Sequence, residues 1–263
     1  MRGTMMRTEI RCDIRRVSRR LTALGLASLM AVPLGAQGMP DTSPLHQMDW
    51  GRQTFVYAEV LDYAPGLASR PLLLDLAGWM GGSSHRLWLK ADAQLATVGG
   101  GSGGNYQALY GRLISPYWDV QVGARADVNS GGGSTISRVG AVVGLQGVAP
   151  YWFELEPSAF VTTDGKVSFD LTGSYDLYVT QRLVLQPRLE TSVSFADDRE
   201  FGIGSGLSDG SLALRARFEV RREFAPYVGV LWERRFGRTA DFARAGGGEV
   251  GETLLVVGLR FWR

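Results

Sequence analysis

From residue 53 onward the chain reads in twos. Between residues 118 and 128, Trp118, Val120, Val122, Ala124, Ala126 and Val128 fall on one face, with Asp119, Gln121, Gly123, Arg125 and Asp127 on the other. A two-residue period is that of a strand with one face in an apolar medium and one in a polar medium. The pattern returns over 166–177, 183–195, 85–95 and 212–221; in the last segment Arg215, Arg217, Glu219 and Arg221 oppose Leu214, Ala216, Phe218 and Val220. Four charges on one face do not pack into a dry core. No stretch past residue 53 shows convincing 3.6-residue periodicity, and none holds 18 apolar residues in a row. Neither a helical bundle nor a membrane-spanning helix is therefore predicted there.

The alternation predicts twelve strands, at 53–63, 72–79, 85–96, 105–114, 118–128, 137–147, 152–162, 166–178, 183–195, 211–222, 227–236 and 252–262. Segments of about ten residues suit a tilted strand crossing hydrocarbon, whereas strands of soluble sandwiches usually run to about five or six. Connections alternate between short (81–84, 115–117, 149–151, 180–182, 224–226) and long and glycine-rich (98–104, 129–136, 196–210, 236–251). This is the asymmetry of periplasmic turns against extracellular loops. Tyr117, Trp118, Tyr151, Trp152, Phe153, Phe224 and Tyr227 cluster at the short turns, as an aromatic girdle at a membrane–water interface would. The expected fold is all-β: an antiparallel transmembrane outer-membrane β-barrel of twelve strands, set in bacterial outer-membrane lipid with both termini periplasmic. Closure is required because an open sheet edge cannot satisfy its amides in lipid.

The region ahead of the barrel divides in two. Seven arginines precede an uncharged apolar run that ends in small residues near Ala36, which predicts an export signal over 1–36. Residues 37–52 then form a short periplasmic segment, and 53–263 the barrel. Without the signal, 21 basic and 24 acidic side chains remain. No basic surplus is left to neutralise phosphates, so a nucleic-acid partner is not expected. The single cysteine, Cys12, lies within the signal, so the mature chain has no thiol chemistry. Glycine, at 35 of 263 residues, is nearly double the usual ~7%, but it follows no collagen period.

Candidate chemistry lies in two places. The inward faces carry Asp119, Arg125, Asp127, Glu154, Glu156, Arg188, Glu190, Arg215, Arg217 and Glu219, together with Arg86, Lys90, Asp92 and Arg138. Two readings stand for these charges: cross-strand ion pairs that wet or plug the interior, or a permeation path whose charges set selectivity. The second place is the 37–52 segment, where His46 and Met48 lie two residues apart with Met39 upstream. Imidazole with thioether is a donor set that favours copper over magnesium or calcium. His85 is a further candidate ligand, although its place at the base of a strand also fits an interfacial side chain. Ser83-Ser84-His85 joins hydroxyl to imidazole but lacks an orienting acid, so no enzyme activity is expected.

Several segments together resemble the outer-membrane copper-resistance protein B family. They include His46-Gln47-Met48-Asp49, Gly78-Trp79-Met80-Gly81-Gly82, Arg86-Leu87-Trp88-Leu89-Lys90, Ser115-Pro116-Tyr117-Trp118-Asp119 and Arg221-Arg222-Glu223-Phe224-Ala225-Pro226-Tyr227. The resemblance covers residues 46–262. It implies copper tolerance at the outer membrane, copper ions as the bound species, and cooperation with periplasmic copper-handling proteins. Two features depart from the family pattern. The Met- and His-rich segment ahead of the barrel is reduced to 37–52, and His85 stands where asparagine is expected.

Overall fold

The computed structural model describes residues 52–65, 71–98, 101–131 and 133–263. Twelve strands form one closed antiparallel sheet: β1 (Gln53–Tyr63), β2 (Pro71–Gly81), β3 (His85–Ala96), β4 (Ser102–Ser115), β5 (Trp118–Gly131) and β6 (Ser134–Ala149). They continue as β7 (Phe153–Thr162), β8 (Val167–Ser174, resuming as Leu177–Tyr178), β9 (Leu183–Ser194), β10 (Gly206–Phe218), β11 (Phe224–Arg235) and β12 (Gly251–Trp262). Each strand pairs with its sequence neighbours, and β12 closes on β1 with Tyr57 opposite Trp262 and Tyr63 opposite Val257. Closure leaves no edge unpaired, the condition for a sheet in lipid.

The two faces separate as the alternation requires. Leu87, Leu89, Val122, Val143, Leu214, Val228 and Leu255 stand exposed on the outer wall. An apolar belt of this extent in water would drive association; around a closed barrel it is the lipid-facing surface. The charged side chains opposite them point inward.

The strand ends correct the sequence reading at several places, including β5, which runs on to Gly131, and β11, which starts at Phe224 within the expected connection 224–226. β4 starts at Ser102 and β6 at Ser134, and β10 runs from Gly206 to Phe218 rather than over 211–222. The segment 129–136 is thus no long loop: β5 and β6 are joined through 132–133, with Gly133 at φ 86°. At this end of the barrel the wall leaves hydrocarbon, so outward positions need not be apolar. Strand pairing continues where the alternation stops. The turn at 163–166 lies at the same end and is also short, so loop length separates the two ends less sharply than expected.

Two further features were not predicted. A nine-residue helix, α1 (Gly237–Ala245), occupies the connection between β11 and β12. A helix this short is marginal on its own. It is held by contact with the neighbouring loop, where the Gly204 amide donates to Thr239 Oγ1 at 2.9 Å. The second feature is an irregularity in β1. Ala58 lies opposite Leu76 but Val60 lies opposite Asp75, so Glu59 is an extra residue. One inserted residue switches which side chains face inward. Phe55 and Tyr57 line the cavity before it; Val60 and Asp62 are the buried positions after it.

Candidate functional site

The barrel interior encloses a cavity of about 920 Å³ in three tiers. At the short-turn end it is aromatic. Phe55 lies 6.3 Å from Trp79 and 5.8 Å from Trp262, and Trp79 lies 6.2 Å from Trp88, between ring centroids. The Arg86 guanidinium sits 4.7 Å over the Trp79 ring and donates to Asp119 at 2.9 Å. Such cation–aromatic contacts hold a charge at an apolar surface without a second carboxylate.

The middle tier is built around one cation. Arg188 donates to Asp75 at 2.6 Å and Glu190 at 2.5 Å, and pairs with Glu59 at 3.2 Å. Lys90 pairs with Glu156 across the cavity. Nine carboxylates line the cavity against six Arg and Lys side chains. Among the described residues no Arg or Lys nitrogen lies within ion-pair distance of Asp92 or Glu154. Their hydrogen bonds come from neutral groups, Asn105 at 3.4 Å and Ser174 at 3.3 Å. The resulting field is cation-attracting, while Arg188 already occupies the centre of the densest carboxylate group.

At the long-loop end Arg125 bridges Asp127 (2.7 Å) and Asp170 (2.5 Å), and Arg138 bridges Asp127 (2.7 Å) and Asp198 (3.0 Å). Asp198 belongs to the loop 195–205, which therefore folds back onto an inward-facing side chain of β6. Phe201 of the same loop lies 4.5 Å from the Arg138 guanidinium, and Ile203 lines the cavity. Behind the loop, Arg238 of α1 pairs with Asp197 at 2.7 Å. The Ser205 amide holds the Asp197 carboxyl below its usual value, with Arg238 contributing. In the turn beside it, Lys166 at 2.8 Å and the Thr162 hydroxyl hold Asp164 down at about 2. Asp164 and then Asp198 push the Lys166 ammonium up in return.

A second set of charges lies outside this cavity, in a dry seam. Arg215 donates to Asp62 at 2.7 Å and Arg217 to Asp176 at 2.7 Å; Asp62 is 0% exposed and Arg217 1%. Alongside them Ala64, Ala213, Leu231, Leu254 and Val256 pack into one apolar cluster. Glu219 lies beyond the end of β10, 3.6 Å from Arg217.

Several expected sites are placed differently by the structure. Tyr227 is not an interface aromatic: it is 5% exposed and points inward. Its hydroxyl accepts a hydrogen bond from the Leu61 amide at 3.1 Å, inside the irregular stretch of β1. Its ring lies where a Cβ on Gly258 would be only 2.5 Å away, so that position must be glycine. Tyr117, Tyr151, Trp152 and Phe224 are exposed at the short-turn end, and Trp118 is half-buried there. Tyr151 and Trp152 reach 83% and 76% exposure from φ 66° and 67°, a conformation costing about 1–2 kcal/mol per non-glycine residue. His85 stacks on Tyr110 with Nδ1 2.5 Å from its hydroxyl, so Tyr110 engages that ring nitrogen. Met39, His46 and Met48 lie outside the described residues. Among the described residues no three His, Cys, Asp or Glu side chains converge as a metal cage.

The sequence reading missed Glu59, Asp62, Asp75 and Asp209 as interior charges. Asp75 carried a usable signal, as a lone carboxylate within Leu72-Leu73-Leu74-Asp75-Leu76. Glu59 and Asp62 did not, because the inserted residue breaks the alternation that would have placed them.

A closed barrel with an apolar outer wall and an ionic, water-accessible interior defines a transmembrane β-barrel of the outer-membrane type. The family described as Copper resistance protein B precursor (CopB) matches residues 52–263, and the chain belongs to that family. It is 40% identical over 184 residues to Copper resistance protein B of Escherichia coli, covering 70% of this chain and 60% of that protein. It is 39% identical over 218 residues to the Copper resistance protein B homolog of Pseudomonas syringae pv. tomato, covering 82% and 72%. The chain thus spans about 60% of the Escherichia coli relative's length. Among solved structures it is similar to the NanC porin (12% identity, TM-score 0.48, covering 80% of this chain and 99% of that one). It is also similar to the KdgM porin (12%, TM-score 0.44, 80% and 98%).

Proposed function

We propose that this barrel serves copper resistance at the bacterial outer membrane, handling copper ions as cargo in its acid-rich lumen. The observation that carries this reading is the excess of carboxylates over cations around the cavity, in a chain of the copper resistance protein B family. Carboxylates that already have hydrogen-bond partners bind a passing divalent cation weakly, and weak sites are what conduction needs. The start of β1, the end of β12 and the turns bearing the exposed aromatics gather at one end, which we assign to the periplasm. Met39, His46 and Met48, in the sequence ahead of β1, are proposed to supply soft and imidazole donors for copper capture. Periplasmic copper-handling proteins would meet the barrel at this end. No reaction is assigned to it.

The test is growth on graded copper of a strain lacking the chain, with zinc as control metal. The strain is complemented with wild type or with a His46→Ala/Met48→Ala variant. Copper-specific sensitivity rescued only by wild type places capture in the N-terminal segment; rescue by both places it in the barrel. The absence of copper sensitivity would sink the proposal. That result would leave a diffusion pore without metal preference, a reading favoured by Arg188 standing among the very carboxylates an ion would seek. A large conductance indifferent to copper in single-channel recordings would mark this second case.

A further inference from the structure

The outer wall carries a second site at the long-loop end. Along β11, Val228, Val230 and Trp232 project outward, and Arg234 continues their face. Trp232 lies opposite Thr253 and Arg234 opposite Gly251 on β12. With no side chain at Gly251, a hollow remains beside Arg234. The exposed end of α1 brings Arg244 to the same place, and Trp232, Arg234, Arg244, Val250, Gly251 and Thr253 border a cavity of about 460 Å³. Glu252 also borders it, but lies opposite Glu233 on the lumen face of the wall.

Four arginines meet at this corner, and two of them are committed. Arg238 pairs with Asp197, and Arg235 donates to the Glu249 carbonyl at 3.2 Å. Arg234 has no carboxylate in ion-pair distance among the described residues; its guanidinium lies 5.8 Å from the Phe236 ring. Among the described residues Arg244 pairs only with Asp241, at 2.8 Å, in a pair more than half exposed on both sides. A pair that exposed holds its partner weakly. The hollow therefore offers two cations to a ligand.

The location narrows what that ligand can be. The hollow opens on the lipid-facing wall at the strand ends, where Trp232 has the amphipathic character of an interfacial side chain. Below it Val230, Val228, Leu255 and Val257 continue as exposed apolar surface. An anionic head with apolar tails fits the whole surface. A planar guanidinium fork matches phosphate oxygens in pairs.

We propose that this hollow binds the phosphate of a membrane lipid, with Arg234 and Arg244 as its ligands and the tails lying along Val230 and Leu255. The site is separate from the lumen, and rests only on the barrel spanning a membrane.

The test is native mass spectrometry of the purified full chain in detergent micelles, titrated with phosphatidic acid, with diacylglycerol of the same chains, or with inorganic phosphate. Retained adducts with phosphatidic acid are expected, with neither of the others matching them. Arg234→Gln/Arg244→Gln should cut phosphatidic acid binding about thirty-fold, the loss of two interfacial cations. Arg221→Gln/Arg222→Gln, at the opposite end, should leave it unchanged. If the glutamine double variant loses the heat-modified gel shift of a folded barrel, Arg234→Ala and Arg244→Ala singly replace it, each expected to cost about five-fold. Equal binding of diacylglycerol would overturn the proposal, as would phosphatidic acid binding that survives the arginine substitutions. Equal binding of inorganic phosphate would make it a free-anion site and overturn the lipid assignment.

Discussion

Arg188 and Arg215 are neighbours on adjacent strands: Arg188 lies opposite Ala213, and Gln186 lies opposite Arg215. Both are inward-facing, nearly buried and ion-paired, yet they sit in different media. Arg188 faces the cavity with three carboxylates around it. Arg215 faces the seam with Asp62 as its one ion-pair partner among the described residues and the Ala213, Leu231, Leu254 and Val256 cluster beside it. An ion pair removed from water is costly to leave half-made, whereas one lining a wet cavity can exchange its partner for solvent or a passing ion. The same residue types therefore build a structural lock on one side of the barrel and a solvent-lined ionic surface on the other.

The largest effect should come from breaking the lock. Arg215→Leu strands a carboxylate that is 0% exposed and should cost about 3–5 kcal/mol. The cost would show as a lowered melting temperature of the purified barrel in detergent. Asp62→Leu/Arg215→Leu should recover much of that loss; a double variant no more stable than the single would show that the stranded charge is not the cause. Arg188→Gln should behave in the opposite way. It should leave most of the stability intact and shift the reversal potential under a salt gradient towards stronger cation preference, because three carboxylates lose their resident cation. If Arg188→Gln unfolded the barrel while Arg215→Leu did not, the division into wet and dry sides would be wrong.

A smaller effect is expected at the cavity's outer tier. Arg138→Ala removes both the Asp198 pair and the Phe201 contact, so the loop 195–205 should swing clear of the lumen. Conductance should rise and Arg199 should become more open to trypsin; an unchanged digestion rate would mean that α1 alone holds the loop.

The mildest probe is pH. Asp164 and Asp197 sit below the ordinary carboxylate value. Their contribution to loop order is therefore complete above about 4 and is lost as pH falls below it, for Asp164 towards about 2. Lys166 is raised, so its contribution is complete below about 10.4 and is lost only above that. Trypsin can report only the alkaline limb, so digestion with pepsin should show the acid transition; loop opening at pH 6 would contradict these assignments.

The legible part of this molecule was the part in contact with lipid. Val120, Val122 and Ala124 alternate with Gln121, Gly123 and Arg125 because hydrocarbon and water lie on opposite sides of one wall. Asp119, Arg125, Glu154, Glu156, Arg188 and Glu190 come from such stretches and line the cavity, whereas Arg215 and Arg217 lie in the seam beside it and Glu219 beyond the end of β10. Tyr227 was misread because an aromatic beside a turn looks the same whether its ring faces lipid or fills the space above a glycine on the next strand. Glu59, Asp62 and α1 were missed for a related reason, since each depends on a residue far away in the chain.

The sequence by itself determined the closed wall, its twelve strands and its two chemical faces, because a two-residue period records the solvent on each side locally. Only the tertiary structure decided which interior charges meet. Asp62 reaches Arg215 across 153 positions, and Arg188 reaches Asp75 across 113. Those meetings depend on strand register, on one inserted residue in β1 and on a loop folded inward, and none of these leaves a periodic trace along the chain.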